Sequence, residues 1–240
     1  MTQENLTVNK SLKVSKKEIL DDFLLMNVSR NISYIGRKEV FMGRAKFGVF
    51  GDGKELPQIA MSKFFRNGDF RSGYYRDQTF MMSINQLTPD QFFAQLYAHT
   101  DIKKDPHSGG RQMNCHFGTR LLNENGDWKT QTDMMNSVSD ISCVSGQMPR
   151  IVGLAYASKL YRNNKNLSDM ENFSINGNEV VFGTIGDAST SEGHFWEAIN
   201  ACGVLQVPLI MSIWDDGYGI SVPSEYHTTR NDLSKALSGF

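Results

Sequence analysis

Apolar positions follow a helical period early in this chain and change to a strand–helix–strand alternation near residue 180. Ser15-Lys16-Lys17-Glu18 has the spacing of a capping box, and Ile19, Leu20, Phe23 and Leu24, with Asn27, follow at helical intervals. Thr88-Pro89-Asp90-Gln91 marks another helix start, with proline suited to the first helical position and Phe92, Phe93, Leu96 and Tyr97 as its apolar face. Between them the Gly- and Arg-rich segment 43–79 predicts loops and short helices. Segment 101–136 is polar, punctuated by glycine and without a clear period, which predicts a long functional loop or an irregular lobe. A further helix is expected around Gln147–Tyr161, with Val152, Ala155, Tyr156 and Leu160 on one face. Residues 1–14 are polar and predict a loose tail.

Val180–Ile185 is a short β-branched run, Glu192–Leu205 carries Phe195, Ala198, Ile199 and Cys202 at helical spacing, and Pro208–Trp214 is a second apolar run. Strand, helix, strand in close succession is a βαβ unit, whose strands should be parallel with a right-handed crossover. The expectation is an α/β fold, a parallel sheet flanked by helices, in a single domain over residues 15–240. The chain shows no internal repeat and no low-complexity segment.

Composition narrows the function classes. Lys+Arg number 25 and Asp+Glu 26, for a net charge of −1, so nothing in the balance recruits nucleic acid or an anionic membrane. Cys115, Cys143 and Cys202 are odd in number, far apart and outside any CxxC spacing, which predicts a reducing compartment. The N-terminus lacks the apolar core of a signal peptide, and the longest apolar run, 204–214, is too short to span a bilayer. The expected location is the cytoplasm.

The chemistry concentrates after the two strands. Ligands of parallel sheets collect at strand carboxyl ends. Asp187 follows Gly186 at the end of the first run, and Asp215-Asp216 follow the second. If the strands are neighbours, about 4.8 Å apart, the acids converge. A hard cation such as Mg takes carboxylate, water and phosphate oxygens. Gly186 and Ala188 leave room for a diphosphate near the backbone, and the helix start at Ser191–Gly193 offers amide donors and positive dipole. Alone, such residues equally fit ordinary turns and caps.

The longer pattern goes further. Gly186-Asp187-Ala188, then residues 189–214, then "DDGYGIS" resembles the thiamine-diphosphate motif, usually written Gly-Asp-Gly followed by Asn-Asn. A literal Gly51-Asp52-Gly53 and a literal Asn163-Asn164 lie too far apart to form the unit and are expected to be turns. "SEGHFWEAINACGVLQVPLIM" with "DDGYGIS" resembles the α subunit of the decarboxylating component of 2-oxo acid dehydrogenase complexes, the branched-chain type above all. Tyr75-Arg76, "GGRQMNCHFG" (109–118) and "ISCVSGQMPRIVGLAYASKL" (141–160) resemble further family segments in the same order, Asn114 standing where proline is common. The resemblance covers roughly residues 18–230.

That resemblance implies a thiamine-diphosphate-binding fold, with thiamine diphosphate and Mg as cofactors. Asp187 and Asp216 would be side-chain metal ligands and Tyr218 a carbonyl ligand. Tyr75 and Arg76 would contact the diphosphate, Arg76 by paired charge-assisted bonds. Ser142 and Val144 would lie near the aminopyrimidine, and Gly186, Ala188 and Ser189 along the diphosphate. His116 would be a candidate catalytic residue of the substrate pocket, although a lone histidine is more often structural. Met81-Met82 is expected in the core. The activity implied is oxidative decarboxylation of a (branched-chain) 2-oxo acid with acyl transfer to a lipoyl carrier. The implied partners are a β-like half, separate or fused, that brings the activating glutamate, and a lipoyl-bearing acyltransferase, in a dimer or heterotetramer. The family's histidine loop lies beyond Phe240, so the resemblance implies an N-terminal portion, incomplete at its C-terminus and inactive alone.

Two departures stand out. Asp216 replaces the usual amide, and Trp214 sits where some relatives carry a cation. One extra unit charge at about 4 Å and an effective dielectric of about 20 is worth about 4 kcal/mol of repulsion against a diphosphate. The affinity of the site is thereby in question, the fold not. Two other readings remain at this level. A Mg-dependent phosphate-transfer enzyme would use Asp187 and Asp216 but lacks a P-loop lysine motif. A non-catalytic cofactor-binding module, for a dinucleotide for instance, lacks the Gly-rich turn.

Overall fold

The computed structural model describes residues 14–164, 166, 167, 170–229 and 232–240. The expected tail lies outside these residues except for Val14, which is exposed. Helices α1 (Lys16–Phe41), α2 (Glu55–Ser62), α3 (Gln78–Ser83) and α4 (Pro89–Leu96) come first, with strand β1 (Phe70–Ser72) among them. Strand β2 (Asn136–Ser137), helix α5 (Met148–Asn163), strand β3 (Val181–Gly186), helix α6 (Gly193–Leu205) and strand β4 (Leu209–Trp214) follow. The chain continues through the hairpin β5 (Tyr218–Gly219) and β6 (Val222–Pro223) to α7 (Leu233–Ala236).

β3 and β4 pair in parallel over their whole length, as the βαβ reading expects. Helices cover both faces of the four-stranded parallel sheet, ordered β2-β1-β3-β4. Alternation along β3 serves the two faces. Phe182 packs with Phe65, Phe80 and Phe117 of the larger core, while Val181 and Ile185 pack with Met148, Ile151 and Phe195 of the other. Met81 and Met82 are buried, as expected.

Segment 43–79 contains a central strand that its sequence conceals. β1 is only Phe70-Arg71-Ser72, and its neighbour β2 is Asn136-Ser137, neither of them an apolar run. Both are fastened by Arg71, whose fully buried guanidinium donates to Asp77, Asp140, Ser137 Oγ and the Tyr74 carbonyl. Gly73 is required beside it, because a Cβ there would lie 2.1 Å from Asp77 Oδ2 and 2.5 Å from Arg71 Nη2. Segment 101–136 is irregular, ordered in part by Asp105, which accepts from the amides of His107, Ser108 and Gly110 and from Ser108 Oγ.

Two helices present other faces than their apolar spacing suggests. On α1, Ile19, Leu20, Phe23 and Leu24 are each more than half exposed, while Ser29, Ile32, Ser33, Gly36 and Glu39 are buried. Polar pins set that face: Ser29 Oγ shares a 2.6 Å hydrogen bond with Thr79 Oγ1, and Gln78 Nε2 donates to Ser33 Oγ at 2.8 Å. Likewise α5 buries Met148, Ile151, Ala155 and Ser158 and exposes Tyr156 and Leu160, with Ser158 Oγ donating to the Glu179 carbonyl at 2.7 Å. Buried polar groups must find partners, and that demand outranks a few apolar side chains. Among the described residues no helix is long and apolar enough to cross a membrane.

Candidate functional site

Gly186 pairs with Trp214 at the carboxyl ends of β3 and β4, so the next residues of both strands emerge on the same edge. Asp187 enters a short 3-10 turn, Ala188–Ser191, that leads into α6. Asp215 and Asp216 lead into the β5–β6 hairpin. Tyr75, Arg76, Val144, Gly186, Asp187, Ala188, Ser189, Asp216 and Tyr218, all expected site residues, line one cleft of about 260 Å³ together with Tyr74, Trp214, Gly219 and Ile220.

Three of these side chains have unspent capacity: Asp187, Arg76, and Tyr74, whose OH is buried without a hydrogen-bond partner among the described residues. Asp187 is 4% exposed, and its Oδ2 is buried without a hydrogen-bond partner among the described residues. Arg76 Nε is buried and unpartnered in the same way. Burial pushes the Asp187 carboxyl above its ordinary range against the pull of the Ala188 amide, and the charges of Asp216 and Asp215 add to the push. An anion held in that state is a natural ligand for a hard cation, whose charge would restore the ionised form.

Asp216 stands differently from the expectation. Its Oδ2 accepts from Lys54 Nζ at 2.7 Å and from Arg76 Nη1 at 3.0 Å, and its Oδ1 from the Tyr218 amide at 3.2 Å. Burial alone would raise this carboxyl; Lys54, with the Tyr218 amide and Arg76, outweighs it and holds it below the ordinary range. The extra negative charge anticipated at this position is therefore already neutralised. No grouping of at least three His, Cys, Asp or Glu side chains suited to a metal occurs among the described residues. The donor set fits a Mg ion that takes one protein carboxylate and completes its shell with phosphate oxygens and water.

Residues 25–240 match the profile of the family described as Dehydrogenase E1 component. The chain belongs to that family. It is 26% identical over 233 residues to the 2-oxoisovalerate dehydrogenase subunit alpha of Bacillus subtilis, covering 97% of this chain and 61% of that protein. It is 27% identical to the mitochondrial 2-oxoisovalerate dehydrogenase subunits alpha of Caenorhabditis elegans and of Homo sapiens, covering in each case 83% of this chain, and 38% and 37% of those proteins respectively. The chain thus spans under two thirds of each of these relatives.

Two expected site residues lie beside the cleft rather than in its lining. Ser142 Oγ lies 3.0 Å from His116 Nε2, and His116 Nδ1 lies 3.1 Å from the Asn114 carbonyl. A carbonyl only accepts, so the proton belongs on Nδ1 and Nε2 accepts from Ser142. His116 is buried and faces a neighbouring cavity of about 260 Å³ that also meets Arg111 and Arg120. Asn114, in place of proline, ties this loop down by exchanging hydrogen bonds with the Val49 backbone at 3.1 and 2.7 Å.

Lys54 does not line the cleft, but it contacts it through the 2.7 Å ion pair with Asp216, a contact the sequence motifs do not foretell, and it adjoins the Gly51-Asp52-Gly53 stretch. That stretch is a turn, as expected, but a packed one: a Cβ on Gly51 would sit 2.5 Å from the Arg76 carbonyl oxygen. The turn expected at Asn163-Asn164 is instead the end of a helix, Asn163 closing α5 and Asn164 capping it. A signal for Lys54 did exist. It is the N-cap of α2, where a cation opposes the helix dipole, and a broken local rule often marks a functional position.

Proposed function

We propose that this chain is the α-like half of a 2-oxo acid dehydrogenase, binding thiamine diphosphate with Mg in the cleft at the ends of β3 and β4. The observation that carries the reading is the unpartnered Asp187 Oδ2 in the same cleft as Arg76, a ligand for a cation beside a donor for phosphate. The names of the relatives favour a branched-chain 2-oxo acid as substrate. When bound, thiamine diphosphate would supply the carbanion that adds to the 2-oxo carbonyl and accepts the electrons released with CO2.

The chain's own residues bind and orient. Asp187 and the Tyr218 carbonyl hold the metal, and Arg76 offers its planar fork to phosphate. Ser189 contributes a backbone amide, and Gly186 and Ala188 keep the turn narrow enough for close approach. Tyr75 packs its ring under the Arg76 guanidinium, 5.7 Å from centroid to carbon. Val144 contributes apolar lining for the aminopyrimidine, and Ser142 holds His116 beside the substrate. A β-like half brings the activating glutamate, and a lipoyl-bearing acyltransferase takes the acyl group.

The test is calorimetric titration of the complete protein, assembled with its partners, using thiamine diphosphate with and without Mg. Binding should require Mg and be abolished in Asp187→Asn, with the melting temperature preserved. Unchanged Mg-dependent affinity in Asp187→Asn removes the metal from this residue. Failure of the wild-type protein to bind removes the whole reading.

A further inference from the structure

We propose that Lys54, which is joined to the cleft through Asp216 rather than lining it, binds phosphate there, and that Asp216 is its positioning residue, holding Lys54 and Arg76 together rather than ligating the metal. This rests on the reading of the cleft as a diphosphate site and adds to it a residue and a division of labour.

The geometry begins with a shared oxygen. Lys54 Nζ and Arg76 Nη1 both donate to Asp216 Oδ2, so their nitrogens are no further apart than the sum of the 2.7 and 3.0 Å distances. Like charges do not settle so close without a reason, and one carboxylate between them leaves the trio with net positive charge. Its donors are not spent. An ammonium has three N–H groups, and Asp216 is the only hydrogen-bond partner of Lys54 Nζ among the described residues. Arg76 Nε is buried without any. Lys54 is 8% exposed, and a buried cation left half-satisfied is costly unless an anion completes its shell.

The backbone delivers Lys54 there deliberately. Gly51 packs directly on the Arg76 carbonyl, and Gln58 Nε2 of α2 donates to that same carbonyl at 2.9 Å. Glu55 closes the turn by accepting from the Gly53 amide at 3.1 Å. Lys54 therefore sits in register with Arg76 although it opposes the dipole of the helix it caps. The end of β4 offers no cation of its own, since Trp214 spends its indole N–H on Asp77. A divalent cation on Asp216 Oδ2 would face two positive groups already bonded to that atom. Asp187, whose Oδ2 has no partner, has no such competition.

The test compares wild-type complete protein with Lys54→Met, Lys54→Arg, Asp216→Asn and the double variant Lys54→Met/Asp216→Asn. Calorimetry reads affinity for thiamine diphosphate and for inorganic pyrophosphate, each across a Mg series. Lys54→Met should weaken both ligands about 10- to 100-fold, and Lys54→Arg should recover most of that loss. Asp216→Asn should weaken both ligands without raising the Mg concentration for half-saturation, and the double variant should be no weaker than Lys54→Met. If Lys54→Met fails to fold, the double variant, which removes the pair together, is compared with wild type; unchanged affinity there overturns the proposal. Unchanged affinity in Lys54→Met overturns it as well, and a Mg requirement raised by Asp216→Asn returns Asp216 to the metal. A wild-type protein that binds pyrophosphate through Lys54 but not thiamine diphosphate would defeat the cofactor reading and leave Lys54 as a phosphate-binding residue.

Discussion

Trp214 Nε1 donates to Asp77 Oδ1 at 2.9 Å across 137 residues of sequence. The other oxygen of Asp77 accepts from Arg71 Nε of β1 and from Thr184 Oγ1 of β3. One carboxylate thus fastens β1, β3 and β4 immediately behind Arg76, and Trp214 braces the cleft as well as lining it.

Trp214→Phe keeps a ring in the wall and deletes the donor. Leaving a buried acceptor unmatched costs about 1–3 kcal/mol. Urea denaturation should show a loss of that size. A variant as stable as the wild type would mean that Asp77 is satisfied without the indole.

Arg71 engages the two carboxylates of Asp77 and Asp140 from a fully buried position, and their charges hold its guanidinium protonated against the cost of burial. Arg71→Met strands both acids and should cost about 3–5 kcal/mol. Arg71→Lys should rescue little, because an ammonium has three donors where the guanidinium has five in a fixed plane. Equal stability of Arg71→Lys and wild type in denaturant would contradict the fork argument.

Gly51→Ala tests the packing that aligns the two cations. The new Cβ would meet the Arg76 carbonyl at 2.5 Å, a backbone atom with little room to retreat. Overpacking of this kind costs about 1–3 kcal/mol. Pyrophosphate affinity should fall together with stability. Gly53→Ala serves as the control, since nothing lies within 4 Å of its Cβ and only its φ of +97° is strained. A Gly51→Ala protein with full affinity would uncouple the turn from the site.

Glu55 predicts a pH dependence. Burial raises its carboxyl, but Arg30, at 2.5 and 2.6 Å, and the Glu55 and Gly53 amides together hold it below the ordinary range. A depressed folded-state pKa contributes stability above the unfolded value, about 4.3, and that contribution is lost as pH falls through the folded value. The melting-temperature gap between wild type and Glu55→Gln should be widest near neutral pH and close below about pH 4. A gap that widens on acidification would reverse the sign.

The sequence by itself determined the βαβ unit and the main part of the cleft. Val181–Gly186 and Leu209–Trp214 are apolar runs whose parallel pairing follows from the helix between them, and Asp187 and Asp216 are placed by their positions just after the strand ends. Such signals are local, so they survive in the linear order of residues. Tertiary structure alone decided the rest. β1 and β2 are strands because Arg71 gathers Asp77, Ser137 and Asp140 around itself, not because Phe-Arg-Ser or Asn-Ser favours a strand. α1 turns Phe23 and Leu24 outward because Ser29 and Ser33 must reach Thr79 and Gln78. Lys54 meets Asp216 across 162 residues, joined by a turn pressed on the Arg76 carbonyl. Each of these depends on pairing buried polar and charged groups between distant segments, and such pairing leaves no period in the sequence because its partners are chosen only when the chain closes.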